Sequence, residues 1–186
     1  MKTLLALAAG LVLTTTPTPT DTFTCGVRDV TTISDGRGSS RVLFNLDGAG
    51  PSGDFSISEA TLTLDLSGTA QAGTLRLRIH PVTTQWSAGS ADWTSGWSRA
   101  GGDFEETVFA RAEVDLSQSG PVAVDVTSIL KEVVQSRMPA HGFIVTTDPV
   151  TRTTGLSAAE AGRLQSFASA SLEVHYRTTP PRPRGK

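Results

Sequence analysis

The sequence predicts an all-β fold, an antiparallel β-sandwich of jelly-roll type with one short helix. Three observations carry this. Several runs alternate apolar and polar residues with period two, which puts one face of each strand in a core. Charged residues make up only 18% while Gly, Ser and Thr are abundant between the runs, as strands joined by tight turns require. A single stretch has helical periodicity, and no strand–helix–strand alternation accompanies it. The 186 residues, 38% hydrophobic, suffice for one core and point to one domain, from about residue 21 to residue 177.

The elements follow in order. Arg41-Val42-Leu43-Phe44-Asn45-Leu46 is almost continuously apolar and reads as a central strand. Thr61 to Leu66 points Leu62, Leu64 and Leu66 to one face, and Thr74 to His80 does the same with Leu75, Leu77 and Ile79. Ser67 to Gly73 between them is a hairpin-sized connection. Ala112 to Leu116 and Pro121 to Val126 repeat the alternation. Ile129, Leu130, Val133 and Val134 then form a helical stripe that Asp125, Thr127 or Ser128 can cap and that ends before Met138-Pro139. Gly142 to Thr147 reads as a second central strand, and Ser171 to Tyr176 closes the domain.

The ends differ from the body. Lys2 followed by the apolar run Leu4 to Leu13 reads as an export signal, with cleavage expected between Ala9 and about Thr20, so residues 1–20 are a leader. Ten apolar residues are too few to span a bilayer, and no transmembrane anchor is expected after processing. The expected location is extracellular or at the cell surface. Residues 178–186 form a basic, Pro-rich tail. The lone Cys25 permits no intramolecular disulfide and reads as a small buried hydrophobe. Without the leader lysine and the tail cations from Arg177 onward, eleven basic residues face eighteen acidic ones. Such an acidic body excludes nucleic acid as the natural partner.

The order of motifs resembles the DNRLRE domain family, which includes the family 96 carbohydrate-binding modules of bacterial and archaeal surface proteins. The residues that carry the likeness are Asp21-Thr22-Phe23, Ser40 to Asp47, Ser58 to Leu64, the two-Trp segment Val82 to Trp93, Gly101-Gly102-Asp103-Phe104, Val126 to Leu130, His141 to Val145 and Ser171 to Tyr176. The hexapeptide that names the family is absent, and Val133 stands where the short helix of many members carries a Trp. The resemblance implies the β-sandwich and secretion. It implies no particular ligand, since members differ in what they bind.

Candidate site residues fall into two sets. Trp86, Trp93 and Trp97 crowd one Gly/Ser-rich loop, where indoles either stack on sugars or pin the loop to the body. Trp86 and Trp93 read as lid residues over one end of the sandwich. Trp97, with Arg99 beside it, is the better ligand contact. Arg76, Arg78 and His80 share the outward face of one strand, a basic stripe that suits the carboxylates of an acidic polysaccharide or pairs with Asp65 and other acids on a neighbouring strand. The oxygens of Asn45, Asp47, Asp54 and Asp103 lie in Gly-rich segments and suit a structural Ca²⁺, without EF-hand spacing. No catalytic constellation is present: the three histidines are dispersed, and Glu105-Glu106 would point to opposite faces of a strand. The expectation is a secreted non-catalytic structural or adhesive module. A carbohydrate-binding module for an acidic polysaccharide and a self-associating surface-layer or fibre subunit are the alternatives.

Overall fold

The computed structural model describes residues 20–47, 54–136, 138–148, 155–164 and 170–178. The leader before residue 20 and the tail beyond 178 lie outside the described residues. Eight strands, β1 (Asp21–Ser34), β2 (Ser40–Asp47), β3 (Phe55–Leu66), β4 (Thr74–Pro81), β5 (Ala110–Asp115), β6 (Gly120–Asp125), β7 (Phe143–Thr147) and β8 (Ser171–Thr178), are joined with two helices, α1 (Thr127–Ser136) and α2 (Ala158–Leu164). The fold is all-β in its sheet content and antiparallel at every described strand pair.

The strands form one continuous, curled sheet in the order β5-β4-β7-β2-β1-β8-β3-β6. Strand β1 makes the continuity. Its first half, Asp21 to Gly26, pairs with β8, and its second half, Gly26 to Ser34, pairs with β2. A bulge between Val27 and Asp29 lies where the strand changes partner, and a bulge bends and twists a strand locally. The terminal strands β5 and β6 are joined by a short turn, so the sheet is barrel-like and almost closed.

Every alternating run keeps its predicted inward face. Leu62, Leu64, Leu77, Ile79, Leu172 and Val174 are buried in the central core. Strands β2 and β7 lie inside the sheet and are buried on both faces, as their continuous apolarity predicts. The helices cap opposite ends. Helix α1 follows Asp125, whose carboxylate accepts from Thr127 N–H at 2.8 Å, and it buries Ile129 in the core. Helix α2 sits by the β3–β4 and β5–β6 connections, where the buried Arg163 donates to the carbonyls of Thr69 (2.6 Å) and Gln118.

Two expectations are corrected. The Ser67–Gly73 connection is no hairpin, because β3 pairs with β6 and β8, while β4 pairs with β5 and β7. Alternation fixes which face is apolar but leaves the partner open. The one expected helix is joined by α2, whose entry is a capping box. Ser157 Oγ accepts from Glu160 N–H at 3.2 Å, and the Glu160 carboxylate accepts from Ser157 N–H at 2.7 Å. The Ser-x-x-Glu signal stands in the sequence, but seven residues are too few for a clear helical stripe.

Candidate functional site

The outward faces of β1, β2 and β7 carry a second, smaller core. Ile33, Leu43 and Ile144 meet Val82 and Trp93, with Trp86, Ala91, Trp97 and Phe104 packed around them. The segment between β4 and β5 therefore lies across the outside of the sheet, and Trp93 covers a sheet face rather than the end of the fold. One buried cation pins it. Arg41 on β2 is 2% exposed, donates to Gly101 O at 2.6 Å, and places its guanidinium carbon 4.9 Å from the Trp93 ring and 5.3 Å from that of Phe104. Burial lowers its pKa, but a guanidinium stays protonated. Gly101 has φ +89°, and a β-carbon there would stand 2.5 Å from Arg41 Nη1.

Two carboxylates organise the same loop. Asp92 accepts from Ser95 N–H (2.5 Å) and Thr94 N–H (2.6 Å), and these bonds, Ser95 first, hold its pKa down to about 2. Asp103 accepts from Ser98 N–H (2.7 Å), Ser98 Oγ (2.8 Å), Thr84 Oγ1 (3.0 Å) and Arg99 N–H (3.1 Å). Partial burial works to raise its pKa, yet these donors outweigh it and hold the carboxyl below the usual range. Trp97 is half-buried and donates from Nε1 to Asp92 O at 2.7 Å, so it braces this loop. Arg99 is exposed and faces Glu106 at 3.6 Å. Asp47 and Asp54 are exposed, and Asn45 is buried at the end of β2. Among the described residues no three His, Cys, Asp or Glu side chains stand together as metal ligands.

The basic stripe is graded along β4. Arg76 is exposed and meets Glu113 at 3.3 Å. Arg78 is mostly covered: its Nη2 lies 2.5 Å from Asp148, which also accepts from Arg111, and both guanidiniums lie over the Phe109 ring. His80 is 0% exposed, so its expected exposure to ligand is corrected. Its side chain leaves the sheet outward, as the alternation requires, but Phe104 and Phe109 cover it and its Nδ1–H donates to Glu105 O at 3.0 Å. The partners are acids on β5 and after β7, since β3, with Asp65, belongs to the other half of the sheet. Glu105 and Glu106 lie in the loop before β5, not on a strand.

A cleft of about 320 Å³ opens at the α1 end. Its lining includes the apolar Leu46, Leu130 and Val133, the polar Arg28, Gln85 and His141, and Trp86. Trp86 is half-buried, and its Nε1 donates to His141 O at 2.7 Å, which fixes the indole plane against the wall. Gly142, at φ +91°, lets the chain pass Phe44 O at a distance that a β-carbon would close to 2.2 Å. Arg28 is held by Asp29 at 3.0 Å and stays largely exposed at the rim. A fixed indole among amides, an imidazole and a cation matches the makeup of small-molecule sites.

Sequence reasoning placed Trp86 as a lid and overlooked Arg28, Gln85 and His141 beside it, because these four are brought together from β1 and two separate loops. On the other half of the sheet, Thr22 Oγ1 and His175 Nδ1 are 2.9 Å apart, and His175 Nε2 meets Glu173 at 3.0 Å, a cross-strand row on an open face. No family model matches the chain, and no curated protein matches it.

Proposed function

We propose that the protein is an exported, non-catalytic module of jelly-roll type that adheres to carbohydrate at the cell surface or in the extracellular matrix, gripping the sugar in the Trp86 cleft. The single observation that carries this reading is the cleft itself, with a fixed indole face flanked by Gln85, His141 and Arg28. A pyranose ring lays its C–H face on an indole, while hydroxyl groups bond to amide and imidazole edges. Arg28 at the rim suits a carboxylated sugar, which favours an acidic polysaccharide. The jelly-roll reading is supported by the strand order, whose halves β5-β4-β7-β2 and β1-β8-β3-β6 are those of two four-stranded sheets joined at β1. Export is supported by Lys2 and the Leu4–Leu13 run.

A glycan array with and without Ca²⁺, followed by calorimetric titration of the hits, tests the reading. Gln85→Ala and Arg28→Ala are each expected to weaken binding about tenfold, since each removes a hydrogen-bonding group from the cleft. Absence of binding to any glycan at millimolar concentration, or binding that ignores both substitutions, counts against it. A requirement for Ca²⁺ would bring back the metal expected from Asn45, Asp47, Asp54 and Asp103.

A further inference from the structure

The two ends of the sheet are not alike. Strands β5 and β6 follow one another across a short turn, yet among the described residues β5 pairs with β4 alone and β6 with β3 alone. Main-chain groups of successive residues on an antiparallel strand point alternately to its two neighbours. On β6 the parity is set by Val126 N–H, which donates to Ala60 O at 2.9 Å. Val124 and Val122 therefore point inward to β3, and Pro121, Ala123 and Asp125 point to the free edge. Pro121 has no N–H to offer, so the β6 edge is blunted.

On β5 the parity is set by Leu116 N–H, which donates to Gly73 O at 2.9 Å in continuation of the β4–β5 register. Val114, Ala112 and Ala110 point to β4. Arg111 and Glu113 direct their N–H and C=O groups to the open edge, and neither is proline, while the Asp115 carbonyl is taken up in the turn by Gln118 N–H at 3.2 Å. Their side chains are exposed, and no described strand pairs with this edge.

We propose that β5 is a self-association edge, at which a second copy of this chain adds its own β5 antiparallel across a two-fold axis through Ala112. In that register Arg111 of each copy stands opposite Glu113 of the other, Ala112 opposite Ala112, and Val114 opposite Ala110. Arg111 and Glu113 then form a narrow hydrogen-bonded pair on each side of the axis, four main-chain bonds in all, with opposite charges adjacent on the outer face. Sliding the copies by one residue each would set Glu113 against itself, and like charges directly opposite are unfavourable. The pairing is isologous and closes as a dimer, and the blunted β6 edge offers no equivalent second site. A six-residue edge buries less than the roughly 1,600 Å² of a standard stable interface, so the association is weak and operates where copies are crowded. It is independent of the Trp86 cleft.

The test is sedimentation equilibrium of the purified protein from about 10 µM to about 1 mM, the range in which weak complexes form. A concentration-dependent monomer–dimer equilibrium is expected. Glu113→Arg and Arg111→Glu are each expected to weaken it about tenfold or more, because each makes two like-charge pairs per dimer. An equimolar mixture of the two variants restores it, since every facing pair is then opposite in sign. Circular dichroism checks that both variants remain folded. A wild type that stays monomeric at all concentrations, an association indifferent to both substitutions, or a mixture that does not reassociate overturns the proposal.

Discussion

At the scale of single residues, buried polar groups set the shape of the outer layer, and none announces itself in the sequence. Arg41 occupies an outward position on a strand buried on both faces, where its charge is tolerated because Gly101 O accepts from it and Trp93 and Phe104 enclose it. Gly101→Ala is expected to destabilise the fold by about 2–3 kcal/mol, through its positive φ and the clash with Arg41, measured as a lower denaturant midpoint. His80 gives a pH dependence with a definite sign. Burial pushes its pKa below the ordinary 6.5, and the Arg78 and Arg41 charges add to this, outweighing the backbone groups of Glu105 and Val108 that favour the protonated ring. Below that value the unfolded chain binds the proton and the folded chain does not, so stability is full above it and falls as the pH drops toward the folded pKa. Urea unfolding at about pH 7.5 and about pH 5.5 should show this loss, at most about 1.4 kcal/mol per pH unit. His80→Leu should flatten it, and an unchanged slope in that variant would rule His80 out as the source of the loss. The alternation of Thr74–His80 was legible, and so was the outward direction of His80. Its burial was not, because the cover comes from Phe104 and Phe109, more than twenty residues onward.

At the scale of elements, local chemistry and tertiary pairing divide the work. Strand faces, the α1 cap and the central character of β2 and β7 were readable, since periodicity and composition are local properties. The Ser157–Glu160 box is equally local and defines α2 where apolar periodicity fails. Ser157→Ala should cost about 1 kcal/mol and lower the melting temperature, while Ser128→Ala, on the exposed side of α1, should leave it nearly unchanged. Equal effects at both sites would show that the α2 cap contributes nothing particular. The β3–β4 connection is the converse case. Seven residues can close a hairpin or cross between halves of a sheet, and the choice lies with Leu116 and Gly73, which tie the β5–β6 turn to it.

At the scale of the whole molecule, β1 joins the two halves of the sheet, and Cys25 reports on that joint. The thiol sits on the half of β1 paired with β8, is 6% exposed, and has its pKa raised by burial. A thiol reagent should leave the native protein unmodified and react only as denaturant abolishes the tryptophan signal. Rapid labelling in native buffer would instead mean that the β1–β8 pairing opens on its own. By itself the sequence determined the all-β class, the inward face of each alternating strand and the clustering of three indoles in one loop, because these follow from residue order over a few positions. Only the tertiary structure decided that the loop lies across β2 and β7, that Trp86 shares a cleft with Arg28 and His141, and that one sheet edge is blunted by Pro121 while the other stays open. Those outcomes depend on which strands pair and at what register, a choice among contacts distant in the chain that no local pattern encodes.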